Sequence, residues 1–258
     1  MKMSAFKNSL PLLGLTVLLA LCAPALAQDQ AEDHGLLEGS EVSVSGSMDY
    51  YSKYCWRGYT LDENPVVQPA FNISYDGFNL NLWASMPVTN RNNSTAVSNE
   101  TDIAFSYSRD MGPLALSLGH ISYHVPANVS PVTNEYFIGV NILPLPALLA
   151  LTYYNDYNDG DGTKGSYFSF DASRVFTLWQ ARGITVSPSA HLGAWKDYLN
   201  LENGGDFFLG LKFGLPLTDT LSASPSLYYF APTGDLADEA VGAQKAGVYG
   251  GLSLAYSF

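Results

Sequence analysis

Charge is scarce in this sequence, and positive charge is scarcest. Only 14% of the 258 residues are charged, and 12 Lys and Arg stand against 24 Asp and Glu, which gives a formal net charge of −12. An average soluble domain has about 25% charged residues. The shortage of cations argues against a nucleic-acid partner, because a chain of this charge repels phosphate. Disorder is not expected either, since 47% of the residues are hydrophobic and 13% are aromatic.

Cysteine is almost absent, and so are residue patterns that hold a cofactor. The two cysteines exclude a disulfide scaffold, and we interpret Cys55 as a small space-filling residue. The stretch from Asp156 to Gly162 resembles a calcium loop, but Tyr167 stands at the twelfth position, where an EF-hand carries a bidentate Glu. Because Asp and Asn also favour turns, a solvated loop is the preferred interpretation, and weak binding of a divalent cation is its alternative. We expect no cofactor and no metal site.

The first 27 residues have the pattern of an export signal. Lys2 and Lys7 precede an apolar stretch over residues 10–22, and Ala25-Leu26-Ala27 forms a cleavage site of small residues. The sequence therefore predicts a cleaved signal peptide over residues 1–27, followed by a short acidic periplasmic tail over residues 28–41. The mature chain would hold 10 basic and 24 acidic groups.

Long hydrophobic runs are missing from the rest of the chain. No later segment offers the roughly 18 uninterrupted apolar residues of a transmembrane helix. Apolar and small or polar residues alternate instead, which is the pattern of strands with two different faces. At the C-terminus, Leu252, Leu254, Tyr256 and Phe258 alternate with Ser253, Ala255 and Ser257.

Twelve such runs predict a membrane barrel. They lie near residues 42–55, 65–75, 78–87, 100–108, 114–125, 134–142, 147–156, 165–176, 182–195, 206–215, 220–230 and 246–258. Short turns alternate with longer polar loops between them, as in outer-membrane barrels. The predicted fold is all-β: a transmembrane antiparallel up-and-down β-barrel of about 12 strands over residues 42–258, with periplasmic termini.

Two local features qualify this pattern. In the run 114–125, three leucines share a face with His120, Ser122 and His124, so we predict a bulge near Gly119 that swaps the faces. Residues 196–205 are predicted to form one of the longer loops.

A secreted sandwich or lipocalin-like barrel would have the same periodicity, but with its apolar faces inward. Three features favour the membrane barrel: scarce Lys on the polar faces, aromatic residues near strand ends, and a C-terminal Phe258. The predicted aromatic girdles comprise Tyr50, Tyr54, Trp56, Tyr107, Tyr123, Tyr153, Tyr167, Tyr228, Tyr229 and Tyr256. Tyr256 and Phe258 resemble the terminal signal by which outer-membrane proteins are recognised for assembly.

The stretch from Tyr54 to Ser85 carries a family resemblance. Its pattern consists of Trp56-Arg57-Gly58, Thr60, Pro65, Gln68, Phe71, Gly77-Phe78, Trp83 and Ser85. These residues resemble the start of TorF-type porins, over about 32 residues of the chain. The resemblance implies an outer-membrane porin and brings no catalytic motif with it.

Charged and amide side chains on the polar faces are the candidate functional residues. They are Asp49, Lys53, Arg57, Gln68, Asn72, Asn81, Asp102, Glu135, Asp171, His191 and Lys212. Charges of both signs in a narrow lumen can form a constriction with a transverse field. They can equally pair with one another and fill the interior as a rigid plug. Both interpretations stay open at this stage.

One pair suggests chemistry: His120 and Ser122 share a strand face, as the His and Ser of an outer-membrane phospholipase do. No neighbouring group orients the His, as a catalytic triad requires, so we do not expect an enzyme.

The expected function is passive diffusion of small polar solutes across the bacterial outer membrane, with a mild preference for cations. The preference follows from acidic loop residues around the mouth: Asp62, Glu63, Asp159, Asp161, Glu202, Asp235, Asp238 and Glu239. Two alternatives are a structural or partner-binding barrel with a filled lumen and a lipid-active enzyme. Expected partners are outer-membrane lipids, the barrel-assembly machinery and small polar solutes or cations.

Overall fold

A computed structural model describes residues 42–89, 99–125, 133–142, 147–157, 164–198 and 201–258. The predicted signal peptide and acidic tail lie outside these residues. Within them, no helix is long and apolar enough to cross a membrane.

Twelve strands form one closed antiparallel barrel, which confirms the predicted fold class. They are β1 (Ser43–Tyr51), β4 (Val66–Tyr75), β5 (Phe78–Pro87), β6 (Glu100–Met111), β7 (Leu114–His124), β8 (Thr133–Ile142), β9 (Leu148–Asp156), β10 (Gly165–Ser173), β12 (Ile184–Tyr198), β13 (Leu201–Pro216), β14 (Leu221–Gly234) and β15 (Gly247–Ser257). Each pairs with its neighbours along the chain, and β1 closes the ring against β15. A short strand, β11 (Phe176–Trp179), extends the turn between β10 and β12. Two further strands, β2 (Tyr54–Trp56) and β3 (Tyr59–Asp62), form a separate hairpin.

The apolar face of the barrel points outward. On β15, Leu252 and Leu254 are each 43% exposed, whereas Ser253 between them is 6% exposed. On β5, Leu82 is 41% exposed and Asn81 only 2%. An apolar exterior over a whole barrel suits a lipid environment, so the soluble alternative with inward apolar faces is wrong.

The girdle assignment is wrong for five of the ten aromatic residues. Five of them face the lumen and are buried: Tyr54, Trp56, Tyr123, Tyr167 and Tyr228. By contrast, Tyr50, Tyr229 and Tyr256 are outward and 42–45% exposed. The error arises because aromatic residues fill the inside of this barrel as well as its rim. An alternating pattern does not separate these two environments.

The predicted bulge at Gly119 is also wrong. Strand β7 pairs with β6 without a shift, from Met111↔Leu114 to Thr101↔His124. The outward face of β7 therefore changes from leucine to His120, Ser122 and His124 as it approaches one rim. Likewise, the loop predicted at 196–205 is mostly strand, since β12 and β13 pair as far as Tyr198↔Leu201.

The two ends of the barrel differ. The turns at residues 76–77, 112–113 and 217–220 lie at one end, which we call the short-turn end. The opposite long-loop end carries the connection between β1 and β4, and this connection contains the hairpin of β2 and β3.

Candidate functional site

A hairpin of residues 54–62, which we call the lumen hairpin, lies inside the barrel. Its turn is Arg57-Gly58, and both residues have positive φ, 45° and 82°, as a two-residue hairpin turn requires. A Cβ on Gly58 would lie only 2.9 Å from Asp206 Cβ and 2.7 Å from Leu236 Cδ2, so glycine suits this close approach as well as the turn. Cys55 and Arg57 are each only 2% exposed.

Arg57 fastens the tip of the lumen hairpin to the far wall. Its Nη1 lies 2.6 Å from Glu135 Oε1 and its Nη2 lies 2.9 Å from Oε2, a bidentate pair. The hydroxyl of Tyr123 donates to the same Glu135 Oε2 at 2.7 Å. The guanidinium also stacks on the rings of Tyr154 and Tyr167, at 4.6 and 4.2 Å from their centroids.

These contacts place the lumen hairpin across the full width of the barrel. Tyr154 belongs to β9, which lies six strands from β1 in either direction around the ring. The hairpin thus begins at one wall and ends at the opposite one. Arg57 is 2% and Glu135 0% exposed, so both partners are buried at this crossing point.

The base of the lumen hairpin contacts β5, β6 and the connection between β14 and β15. The hydroxyl of Tyr54 donates to Glu100 Oε2 at 2.7 Å, and the Tyr54 ring lies 5.8 Å from that of Trp83 on β5. The backbone N–H of Thr60 donates to Gln244 Oε1 at 3.0 Å, which links β3 to the connection between β14 and β15.

A belt of aromatic rings lines the wall at this level. Its members come from consecutive strands β8 to β15: Phe137, Tyr154, Tyr167, His191, Phe208, Phe230 and Tyr249. Neighbouring rings in the belt are 5.6–6.3 Å apart between centroids. Phe208 and Phe230 are each 1% exposed, so this aromatic belt and the lumen hairpin pack as an interior core.

His191 in the belt stands between two carboxylates. Its Nδ1 lies 2.5 Å from Asp171 Oδ1, and its Nε2 lies 3.0 Å from Asp206 Oδ2. The Tyr167 hydroxyl lies 2.7 Å from the same Nε2 and donates to Asp206 Oδ1 at 2.9 Å. The four side chains join β10, β12 and β13 into one polar network.

Amides and small polar side chains line other parts of the inward wall. Asn81 Nδ2 donates to Asn72 Oδ1 at 2.8 Å, and Gln68 Nε2 donates to Ser85 Oγ at 3.3 Å. Asp49 lies opposite Ser253 in the pairing of β1 with β15 and is 4% exposed.

The predicted lumen residues fall into distinct groups. Eight are buried in the interior: Asp49, Arg57, Gln68, Asn72, Asn81, Asp102, Glu135 and His191. Asp171 and Lys212 are partly buried. Lys53 is not on the barrel wall as expected, because β1 ends at Tyr51, and it pairs with Glu63 beside the hairpin.

Sequence reasoning missed four buried carboxylates: Asp62, Glu100, Asp156 and Asp206. The placement of Asp62 at the mouth is wrong, because Asp62 ends β3 of the lumen hairpin and is only 4% exposed. Glu100 opens β6, and Asp206 is 2% exposed within β13. The sequence predicts a strand that begins at Asp206, whereas β13 begins at Leu201, so Asp206 lies within the strand. The position of Asp206 next to the apolar Phe207 was the signal in the sequence that could have placed Asp206 on the inward face of the strand.

The residues singled out for catalysis do not meet. His120 Nε2 lies 2.8 Å from the Tyr157 hydroxyl, and Ser122 Oγ lies instead 3.0 Å from His124 Nε2, on the outer surface. Among the residues that the structure describes, no carboxylate hydrogen-bonds or pairs with the imidazole ring of His124. Of the calcium-like loop, residues 158–163 lie outside the described part of the chain, and Asp156 ends β9 in a buried position.

Comparison with solved structures agrees on the architecture. The chain is similar to the KdgM porin, with a TM-score of 0.53 and 11% identity, over 84% of this chain and 99% of that one. It is also similar to the KdgM porin in complex with disordered oligogalacturonate, with a TM-score of 0.52 and 12% identity over the same shares of the two chains. At this identity the likeness shows the fold alone.

Comparison with curated proteins gives no match. A family model for bacterial proteins of unknown function, Gcw_chp, matches residues 38–218, which is well over half of the chain. The chain therefore belongs to the Gcw_chp family of bacterial proteins.

Proposed function

We propose that this protein is a porin of the TorF type in the bacterial outer membrane, through which small polar solutes diffuse passively. The observation that carries the proposal is the inverted barrel: apolar side chains face outward, while Asn, Ser, Gln and carboxylate side chains face the interior. The resemblance of residues 54–85 to TorF-type porins supports the same function. Its partners would be outer-membrane lipids, the assembly machinery and the diffusing solute.

The charge of the interior favours cations over anions. Among the described buried side chains are seven carboxylates, against one arginine and one histidine. They are Asp49, Asp62, Glu100, Asp102, Glu135, Asp156 and Asp206. The described acidic residues at the long-loop end, Glu63, Glu202, Asp235, Asp238 and Glu239, add an attraction that decays over about 8 Å at physiological salt. We therefore propose mild cation selectivity.

The solute would differ from that of KdgM. That porin is described in complex with oligogalacturonate, a chain of negatively charged sugars. An interior with a surplus of carboxylates repels such a polyanion, so small neutral or cationic solutes are the better candidates here.

The lumen hairpin favours a second candidate, a barrel with a filled lumen that has a structural or partner-binding role. Arg57, Glu135 and the aromatic belt leave the crossing point almost without exposure. If the barrel is a channel, solutes must therefore pass around the hairpin, or pass only after the hairpin has been displaced. An enzymatic role is not proposed, because the contact between Ser122 and His124 has no orienting carboxylate among the described residues.

The deciding experiment is the current through a planar bilayer that contains the purified protein. A channel gives stepwise conductance, and its reversal potential in a salt gradient indicates cation selectivity that weakens toward about 1 M salt. A filled barrel gives no steps. Anion selectivity would contradict the electrostatic part of the proposal.

A further inference from the structure

We propose that Glu100 and Asp102 together bind one divalent cation, Ca²⁺ or Mg²⁺, inside the barrel beside the base of the lumen hairpin. This site does not depend on whether the barrel conducts. It rests on the positions of the two carboxylates, on their hydrogen-bond partners and on the balance of charge around them.

The two carboxylates share one face of β6. They are two residues apart, so their Cα atoms are separated by about 6.8 Å along the strand, and both side chains point to the same side. Glu100 is 9% and Asp102 is 2% exposed, whereas Ile103 on the opposite face is 43% exposed. Both acids therefore face the interior.

Asp102 lacks the partners that a buried carboxylate needs. Neither of its oxygens accepts a hydrogen bond of normal geometry, although the backbone N–H of His124 is directed toward it. Glu100 accepts one hydrogen bond, from the Tyr54 hydroxyl at 2.7 Å. A buried and unpaired charge is costly, and buried charges in proteins are ordinarily paired or coordinate a metal.

Arg57 makes its bidentate pair with Glu135, and among the described residues no Lys, Arg or His side chain forms an ion pair with Glu100 or Asp102. A divalent cation would balance the charge of these two carboxylates. The described residues contain no group of three His, Cys, Asp or Glu side chains arranged for a metal, so water must supply the remaining ligands. Two carboxylates with retained water is the usual mode for Mg²⁺, and Ca²⁺ accepts it with more oxygen ligands.

Direct titration tests the site. Mature protein in detergent is freed of divalent ions with a chelator and titrated calorimetrically with CaCl₂ and, separately, with MgCl₂. We expect one equivalent of cation per chain and a higher melting temperature in its presence. In Asp102→Asn the affinity should fall at least tenfold, and Glu100→Gln should have the same effect.

Asp110→Asn is the matched control, because Asp110 lies exposed on the same strand, and its affinity should equal that of the unaltered protein. Absence of binding at millimolar Ca²⁺ and Mg²⁺ would overturn the proposal. So would equal affinity in Asp102→Asn, and a cation-independent rise of melting temperature in that variant would show that a shared proton neutralises the pair. Should Asp102→Asn fail to fold, Glu100→Gln decides the question in the same way.

Discussion

Arg57 and Glu135 illustrate how one contact inside a barrel decides what its interior can do. Both side chains are essentially unexposed, so removing one partner leaves the other charge buried without compensation. Breaking a buried ion pair in this way costs about 3–5 kcal/mol. The barrel sheet does not depend on the pair, since its strands are closed by their own backbone hydrogen bonds. The cost should therefore fall on the docking of the lumen hairpin.

The prediction at this scale uses Cys55, which is 2% exposed within the lumen hairpin, as a reporter. In Glu135→Gln, the reaction of Cys55 with a water-soluble thiol reagent should be faster by a factor on the order of 100, because about 3 kcal/mol of docking free energy is lost. Glu63→Gln is the control, since the pair of Glu63 with Lys53 is exposed and contributes little. Equal labelling rates in all three proteins would mean that the ion pair does not hold the hairpin.

The strands could be predicted from the sequence, because apolar residues alternate with polar or small ones wherever one face of a strand contacts lipid. β15 is an example: Leu252 and Ser253 already indicated opposite faces. The lumen hairpin could not be predicted in this way. Its residues continue the alternation of β1 past Tyr51, and only the contact of Arg57 with Glu135, 78 positions later, shows that the chain has turned inward. Long-range ion pairs leave no periodic signal.

The outward face of β15 gives a prediction at the scale of the element. Leu252→Arg should lower the free energy of unfolding by about 2–4 kcal/mol, because it places a charge against lipid. Ser253→Arg should cost less, since its side chain points inward beside Asp49. Urea unfolding of the two variants in lipid vesicles makes the comparison, and equal losses would contradict the assignment of faces.

The end of β15 gives a second prediction. Phe258 donates its backbone N–H to the Val44 carbonyl at 3.0 Å, and its exposed ring lies 4.7 Å from that of Tyr256. We propose that these two rings form the assembly signal. Phe258→Ser, or removal of residues 256–258, should leave the chain in the periplasm, as fractionation would show. Normal outer-membrane amounts of the truncated chain would count against the signal.

In the whole molecule, the barrel wall accounts for insertion in a membrane, and the residues inside the barrel account for its proposed selectivity. The twelve strands and the apolar exterior fit a membrane-spanning wall, and the likeness to the KdgM porin agrees with that fold. The interior holds a hairpin that spans the lumen, an aromatic belt and a surplus of buried carboxylates. In the proposed channel, these residues would determine which solutes pass. Composition alone suggested acidity, but it could not place these acids around the lumen hairpin.

The central claim, a channel narrowed by its own lumen hairpin, is tested most directly by unitary conductance in a planar bilayer for the unaltered protein and for Glu135→Gln. Both should conduct, and the variant should show a larger unitary conductance or more frequent opening, because its hairpin is held less tightly. If neither protein conducts although both are correctly folded, the proposal of a channel is contradicted, and the barrel with a filled lumen is the interpretation that remains.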